Sequence, residues 1–194
     1  MMTKNNRKAF TLIELLIVII VLGILSSVML LSSISALSTA DTATIIGNLT
    51  SLKKATMTWY LDNYFRVVKD GSKYKVNTNG VLQEVNDFIK DHGSEITQYI
   101  DNNSSITLKV SGTNVDGDSY CFNSLNNGKE WYMGYKFFKN DKDKDYDFME
   151  KFEARASSLN LLSIPNADGS SPKAEIFGAR KDKYVYMLVL EMKD

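Results

Sequence analysis

Residues 10–31 read FTLIELLIVIIVLGILSSVMLL, from Phe10 to Leu31, and Glu14 is the only charged side chain among them. As an α-helix rising 1.5 Å per residue, this stretch spans about 33 Å, enough to cross a hydrocarbon core of about 30 Å. Lys4, Arg7 and Lys8 precede it without an acid, and no further charge appears until Asp41. That cationic cluster predicts a cytoplasmic N-terminus with the bulk of the chain outside. A cleavable secretory signal has a shorter apolar core, about 7–15 residues, although Ser38-Thr39-Ala40 forms a weak cleavage site before Asp41. A plain membrane anchor fits the length but gives Glu14 no role. A carboxylate at the start of a membrane helix costs a few kcal/mol and marks function by default, the bland alternative being that it snorkels to the headgroups.

The rest of the composition removes other classes. The chain has 194 residues with 23 basic and 23 acidic side chains, so its formal net charge is zero. A nucleic-acid binder normally displays a basic field, and none is expected here. Cys121 is the only cysteine and His92 the only histidine, which excludes an internal disulfide and a Cys/His zinc cage. The folded part of the chain is therefore expected to be held by packing, without need of an oxidising compartment. A phosphate-binding glycine loop, an HExxH helix and a Gly-x-Ser-x-Gly elbow are all missing from the sequence. No residue pattern points to an active site, and the chain is read as a non-enzyme.

The string Arg7-Lys8-Ala9-Phe10-Thr11-Leu12-Ile13-Glu14-Leu15 closely resembles the processing site of type IV prepilins, densest from Lys8 to Gly23. The resemblance implies cleavage between Ala9 and Phe10 by a prepilin peptidase that also methylates the new N-terminus at Phe10. Removing the nine residues MMTKNNRKA from 194 leaves 185, and takes away three of the 23 basic residues, leaving 20 against 23 acids. It further implies that Glu14 is the acid on which assembly depends. Ala9 stands where glycine is customary, and Leu31 stands where many pilins carry proline. The implied partners are further copies of the chain in a helical filament, other pilins, the peptidase/methyltransferase and inner-membrane assembly machinery. The implied location is a single-pass precursor in the cytoplasmic membrane, then an extracellular pilus or an envelope-spanning pseudopilus. A pseudopilin of a type II secretion or DNA-uptake system shares the signature. A membrane-anchored or secreted protein with an unrelated ectodomain is the alternative from another class, and adhesive loops are compatible with either filament reading.

The physics of Glu14 agrees with an assembly role. Once the leader is removed, the amine of Phe10 lies four residues away, one helical turn on the same face. The carboxylate can pair with that amine or with the amine of a neighbouring subunit, and because an unpaired charge is costly among apolar helices, the pairing sets axial register.

Beyond Leu31 a Ser/Thr/Ala-rich stretch without proline leads into apolar residues at three- and four-residue spacing: Ile45, Ile46, Leu49, Leu52, Trp59, Tyr60 and Tyr64. This period predicts an amphipathic continuation, so one helix is expected from about Phe10 to about Val68, stopped near Asp70-Gly71. The predicted organisation is a leader over 1–9, a transmembrane or filament-core part over 10–31, an amphipathic part over 32–68 and a globular head over 69–194. The fold class is α+β: a long N-terminal helix packed against a small antiparallel sheet, the pilin-like architecture that the resemblance also implies. In the head, Val81, Leu82, Val85, Phe88 and Ile89 predict a short helix ending near Gly93. Strands are predicted at 106–110, 119–122, 131–138, 175–179 and 183–192, the last two as a hairpin.

Three features of the head compete between chemistry and structure. Asp141, Asp143 and Asp145 resemble the start of a calcium-binding EF-hand loop, but Tyr146 takes the glycine position and Phe152 the place of the bidentate Glu. The structural alternative is a capping box, Asp147-x-x-Glu150, opening a helix through about Leu162. No cofactor is expected beyond this weak calcium candidate. Cys121 reads as a small buried apolar residue, His92 as a solvated helix-end residue, and Trp59, Tyr60 and Tyr64 as core.

Overall fold

The computed structural model describes residues 11–100, 106–110, 119–137, 146–163, 175–176 and 184–193. For 30–35, 37, 38, 146, 147, 157, 175 and 176 the description extends to the backbone alone. The chain is α+β and divides into two compact units, Met1–Ala40 and Asp41–Asp194. A 52-residue helix, α1 (Leu12–Asn63), contributes to both.

In the first unit α1 is apolar all round. Leu12–Met29 is long and apolar enough to cross a membrane, and every side chain in it is exposed. In lipid the remaining polar groups need partners within the helix. The Ser26 hydroxyl donates to Leu22 O at 2.7 Å, and the Ser27 hydroxyl to Ile24 O at 2.7 Å.

In the second unit the same helix becomes one-sided. Thr42, Ile45, Leu49, Leu52, Thr56 and Trp59 are buried at alternating three- and four-residue steps, the stripe by which a helix seats on a sheet. Asn63 leaves helical geometry (φ −121°, ψ 18°), and one 3-10 turn, Tyr64–Arg66, leads to β1 (Val67–Asp70). Strands β2 (Lys73–Thr78) and β3 (Val81–Glu84) complete a three-stranded antiparallel sheet in the order β1-β2-β3. Helix α2 (Val85–Thr97) follows, with a kink at His92.

The second sheet has six strands: β4 (Leu108–Val110), β5 (Ser119–Leu125), β6 (Glu130–Lys136), β7 (Leu162–Ser163), β8 (Glu175–Ile176) and β9 (Tyr184–Glu191), in the order β4-β5-β6-β9-β7-β8. Helix α3 (Tyr146–Ser158) lies between β6 and β7 in sequence. Side chains alternate across this sheet. Phe122, Trp131, Met133, Val185, Met187 and Val189 join α1, α2 and α3 in the main core, while Cys121, Leu125, Tyr132 and Tyr186 form a second cluster. Because both faces are covered, β6 and β9 read as continuous apolar runs rather than as alternating ones.

Several expectations are corrected. The helix ends at Asn63, not near Val68, because the β-branched Val67 and Val68 pair in register with Val76 and Lys75. Asp70-Gly71 accordingly sits at a strand-to-strand turn rather than at a helix stop. Val81 and Leu82 belong to β3 rather than α2, and α2 runs past Gly93 to Thr97. The terminal hairpin is not formed as expected: β7 pairs with β9 (Leu162↔Tyr186) and β8 pairs with β7, so β7 separates the two strands. Asn160, in the left-handed region (φ 50°), lies in the turn after α3, two residues before Leu162 of β7. The larger sheet is mixed, since β4 runs parallel to β5. Helix α3 stops at Ser158 rather than near Leu162 and starts at Tyr146, which puts Asp147 inside the helix and not at its cap.

Candidate functional site

The first helical turn holds the one acid of the apolar segment. Glu14 and Thr11 make a reciprocal pair: the Thr11 backbone N–H donates to Glu14 Oε2 at 2.8 Å, the Thr11 hydroxyl donates to the same oxygen at 2.9 Å, and the Glu14 N–H donates to Thr11 Oγ1 at 3.3 Å. This is a capping box, in which residues three apart satisfy each other's otherwise orphaned donors at a helix start. The positive end of the helix dipole also favours a carboxylate there. The Thr11-x-x-Glu14 spacing ahead of an apolar run is the sequence signal for it, and the reading of Glu14 through the terminal amine alone passed over Thr11.

Of the other residues that sequence assigns to this end, Ala9 and Phe10 lie outside the described residues, as do Lys4, Arg7 and Lys8. Asp141, Asp143 and Asp145 lie outside them too, and among the described residues no group of three or more His, Cys, Asp or Glu is placed to hold a metal ion.

In the head the remaining candidates serve packing. Cys121 is buried in β5, and desolvation pushes its thiol up to about 12 despite a hydrogen bond from Tyr186, so the nucleophilic thiolate is suppressed. His92 is not a solvated cap. Its ring stacks on Phe88 with centroids 4.7 Å apart and planes 8° from parallel, and Nδ1 lies 3.3 Å from Phe88 O. Trp59 is core, 5.3 Å from Phe88 and 6.2 Å from Trp131 between ring centroids. Tyr60 packs edge-on to Trp131, whereas Tyr64, past the helix end, is 66% exposed rather than buried.

Arg66 ties these elements together. Its guanidinium lies over Trp59 and Phe88, 5.6 and 5.2 Å from the ring centroids. It also donates to Glu95 Oε2 at 3.0 Å and to Asn77 O at 3.3 Å, and the Trp59 indole N–H donates to the same Glu95 oxygen at 3.2 Å. One arginine thus joins the end of α1, β2 and α2. A small open cleft of about 140 Å³ is lined by Glu84, Asn86, Ser124, Asn126 and Asn127. Glu84 is paired with Lys73 at 3.0 Å, and both ends of the Asn86 amide are held by the Ser124 backbone, so its polar groups serve structure.

The capping box and the exposed apolar helix lie within a stretch that comparison with known proteins matches. Residues 4–37 match the prokaryotic N-terminal methylation motif. This is the class III signal of type IV pilins and pseudopilins, and over these residues the chain is similar to such precursors. Proteins with this motif are in general processed by a prepilin peptidase and assemble with other pilins. No curated protein matches the chain.

Proposed function

We propose that this protein is a structural subunit of a type IV pilus-like filament. It is inserted as a precursor, cut between Ala9 and Phe10, N-methylated at Phe10 and polymerised through α1. The observation that carries the reading is the wholly exposed apolar helix Leu12–Met29 with Glu14 at its start. Such a surface is covered either by lipid or by like helices. Copies that leave lipid by packing one helix against the next make a heterologous contact that does not close, which yields a fibre. Glu14, one turn from the amine of Phe10, sets the axial register by pairing with a neighbour's amine. In this role the protein needs neither catalytic residues nor a cofactor, and the loops of the second unit are available for display.

The test is Glu14→Ala in the full-length precursor. The variant is expected to insert and be processed like wild type while its filament yield falls at least about tenfold, the effect of losing a charge pair worth more than about 1.4 kcal/mol. Wild-type filament yield from the variant overturns the reading. Antibody to the head that decorates long surface filaments supports the pilus form, and label confined to the envelope replaces it with the pseudopilus form.

A further inference from the structure

We infer that Asn79 is a modification site, converted in the folded chain to aspartate and isoaspartate by attack of the Gly80 nitrogen on the Asn79 side chain. This is independent of the filament reading above. Two asparagines in the sequence precede a glycine, Asn79 and Asn127. Both stand at hairpin tips: Asn79 and Gly80 are the two residues between the paired Thr78 and Val81, and Asn127 and Gly128 lie between the paired Leu125 and Glu130. Glycine matters because, with no Cβ, its nitrogen is unhindered in reaching the preceding side chain. The deprotonated Gly80 nitrogen forms a bond to Asn79 Cγ, the Cγ–Nδ2 bond breaks, and Nδ2 takes protons from water and leaves as ammonia. Water then opens the five-membered imide at either carbonyl. Addition at Cγ gives aspartate, and addition at the main-chain carbonyl gives isoaspartate. One side-chain amide and one water are consumed, and one carboxylic acid and one ammonia are produced.

The two sites share this chemistry and differ in how they are held. Both pairs occupy left-handed geometry, φ 52° and 88° at Asn79-Gly80 and 58° and 81° at Asn127-Gly128. Closing the imide ring takes the asparagine out of that narrow well, so the tip has to open first. At Asn79 opening is cheap. Both residues are exposed, a Cβ on Gly80 would meet nothing within 4 Å, and the Gly80 N–H is tethered to Asn77 Oδ1 at 2.8 Å. At Asn127 the tip is clamped. The Tyr74 N–H donates to Asn127 O at 2.7 Å, and the Trp131 indole N–H donates to Gly128 O at 2.8 Å. Gly128 is buried so closely that a Cβ there would lie 2.5 Å from Tyr74 O. Opening this tip pulls it off β2 and off a core tryptophan. Exposed turns open at low free energy and core-clamped ones at a cost near that of unfolding. Asn79 therefore reacts in the folded chain, while Asn127 waits for unfolding. Isoaspartate lengthens the main chain within a two-residue loop that sets the β2–β3 register, so the product both charges and disturbs this hairpin.

The experiment incubates the full-length chain, purified from membranes in detergent, in mildly alkaline buffer, with a parallel sample unfolded in urea. Peptides from successive times are read by mass spectrometry, with electron-transfer fragmentation to separate isoaspartate from aspartate. In urea the two sites are expected to convert at similar rates, because each is an asparagine before glycine. Without urea, Asn79 is expected to convert at least about tenfold faster than Asn127, since only its tip opens locally. Asn77→Ala removes the acceptor of the Gly80 N–H. It is expected to speed conversion at Asn79 about fivefold, the worth of one neutral hydrogen bond, and to leave Asn127 unchanged. An Asn79 that stays an amide in the folded chain while urea converts it, an Asn127 that converts as fast as Asn79 without urea, or an Asn77→Ala chain no faster than wild type would each overturn the inference.

Discussion

Cys121 and Gly134 show how tightly single positions are held in the larger sheet. The Cys121 thiol is raised by desolvation to about 12 in the folded chain, so it stays protonated where an unfolded thiol ionises. Stability falls with pH wherever the unfolded chain binds fewer protons. The thiol's contribution is therefore complete below the ordinary thiol range and is lost progressively as pH rises from there to about 12. Tyr132, raised first by desolvation and then by its hydrogen bond to Glu130, acts in the same direction at higher pH. Urea unfolding across alkaline pH is expected to give a declining midpoint that Cys121→Ala flattens, and the native thiol is expected to resist alkylation until the chain unfolds. Gly134 faces Tyr186: a Cβ there would lie 2.5 Å from two ring carbons and 2.9 Å from Val185 O. Gly134→Ala should cost about 1–3 kcal/mol by overpacking, read as a lower urea midpoint with an unchanged slope.

At the scale of elements, the junction between α1 and the first sheet depends on Arg66. The Arg66–Glu95 pair keeps 20% and 33% side-chain exposure, so the ion pair alone is worth under about 1 kcal/mol. Stacking over Trp59 and Phe88 and the bond to Asn77 O add to it, and Arg66→Ala is expected to lose about 1–3 kcal/mol. Arg66→Lys should recover little, because an ammonium provides neither the planar stack nor the forked donors; a full recovery in thermal unfolding would contradict the stacking. The elements also show what was legible in the chain. Helix α1, the stripe through Ile45, Leu49, Leu52 and Trp59, and strands β4, β5, β6 and β9 follow from periodicity. Strands β1 to β3 did not: 67–84 is charged and only half-buried, so its apolar period is weak. The signal there was turn chemistry, Asn79-Gly80, both in the left-handed region (φ 52° and 88°) as a two-residue hairpin requires. Strand β7 is two residues long and has no local signal, since its place comes from the edge that β9 offers.

Over the whole molecule, the proposed function rests on one end of the sequence. The apolar helix and its single acid were readable because an 18-residue run this apolar, long enough to cross a membrane, stands out by composition alone. The Thr11 partner was readable in principle from spacing alone. The head is different: Cys121, His92, Trp59 and Arg66 are absorbed by packing, and their chemistry becomes interpretable only once their neighbours are known. The composition is likewise two compositions. On the proposed cleavage, loss of Lys4, Arg7 and Lys8 turns a balanced precursor into an acidic subunit, and the apolar residues divide between an N-terminal apolar helix and a more polar head. The most direct test of the account is the N-terminal sequence and mass of the subunit purified from membranes or filaments. The account predicts a chain that starts at N-methylated Phe10; a chain starting at Met1 or near Asp41 would contradict it.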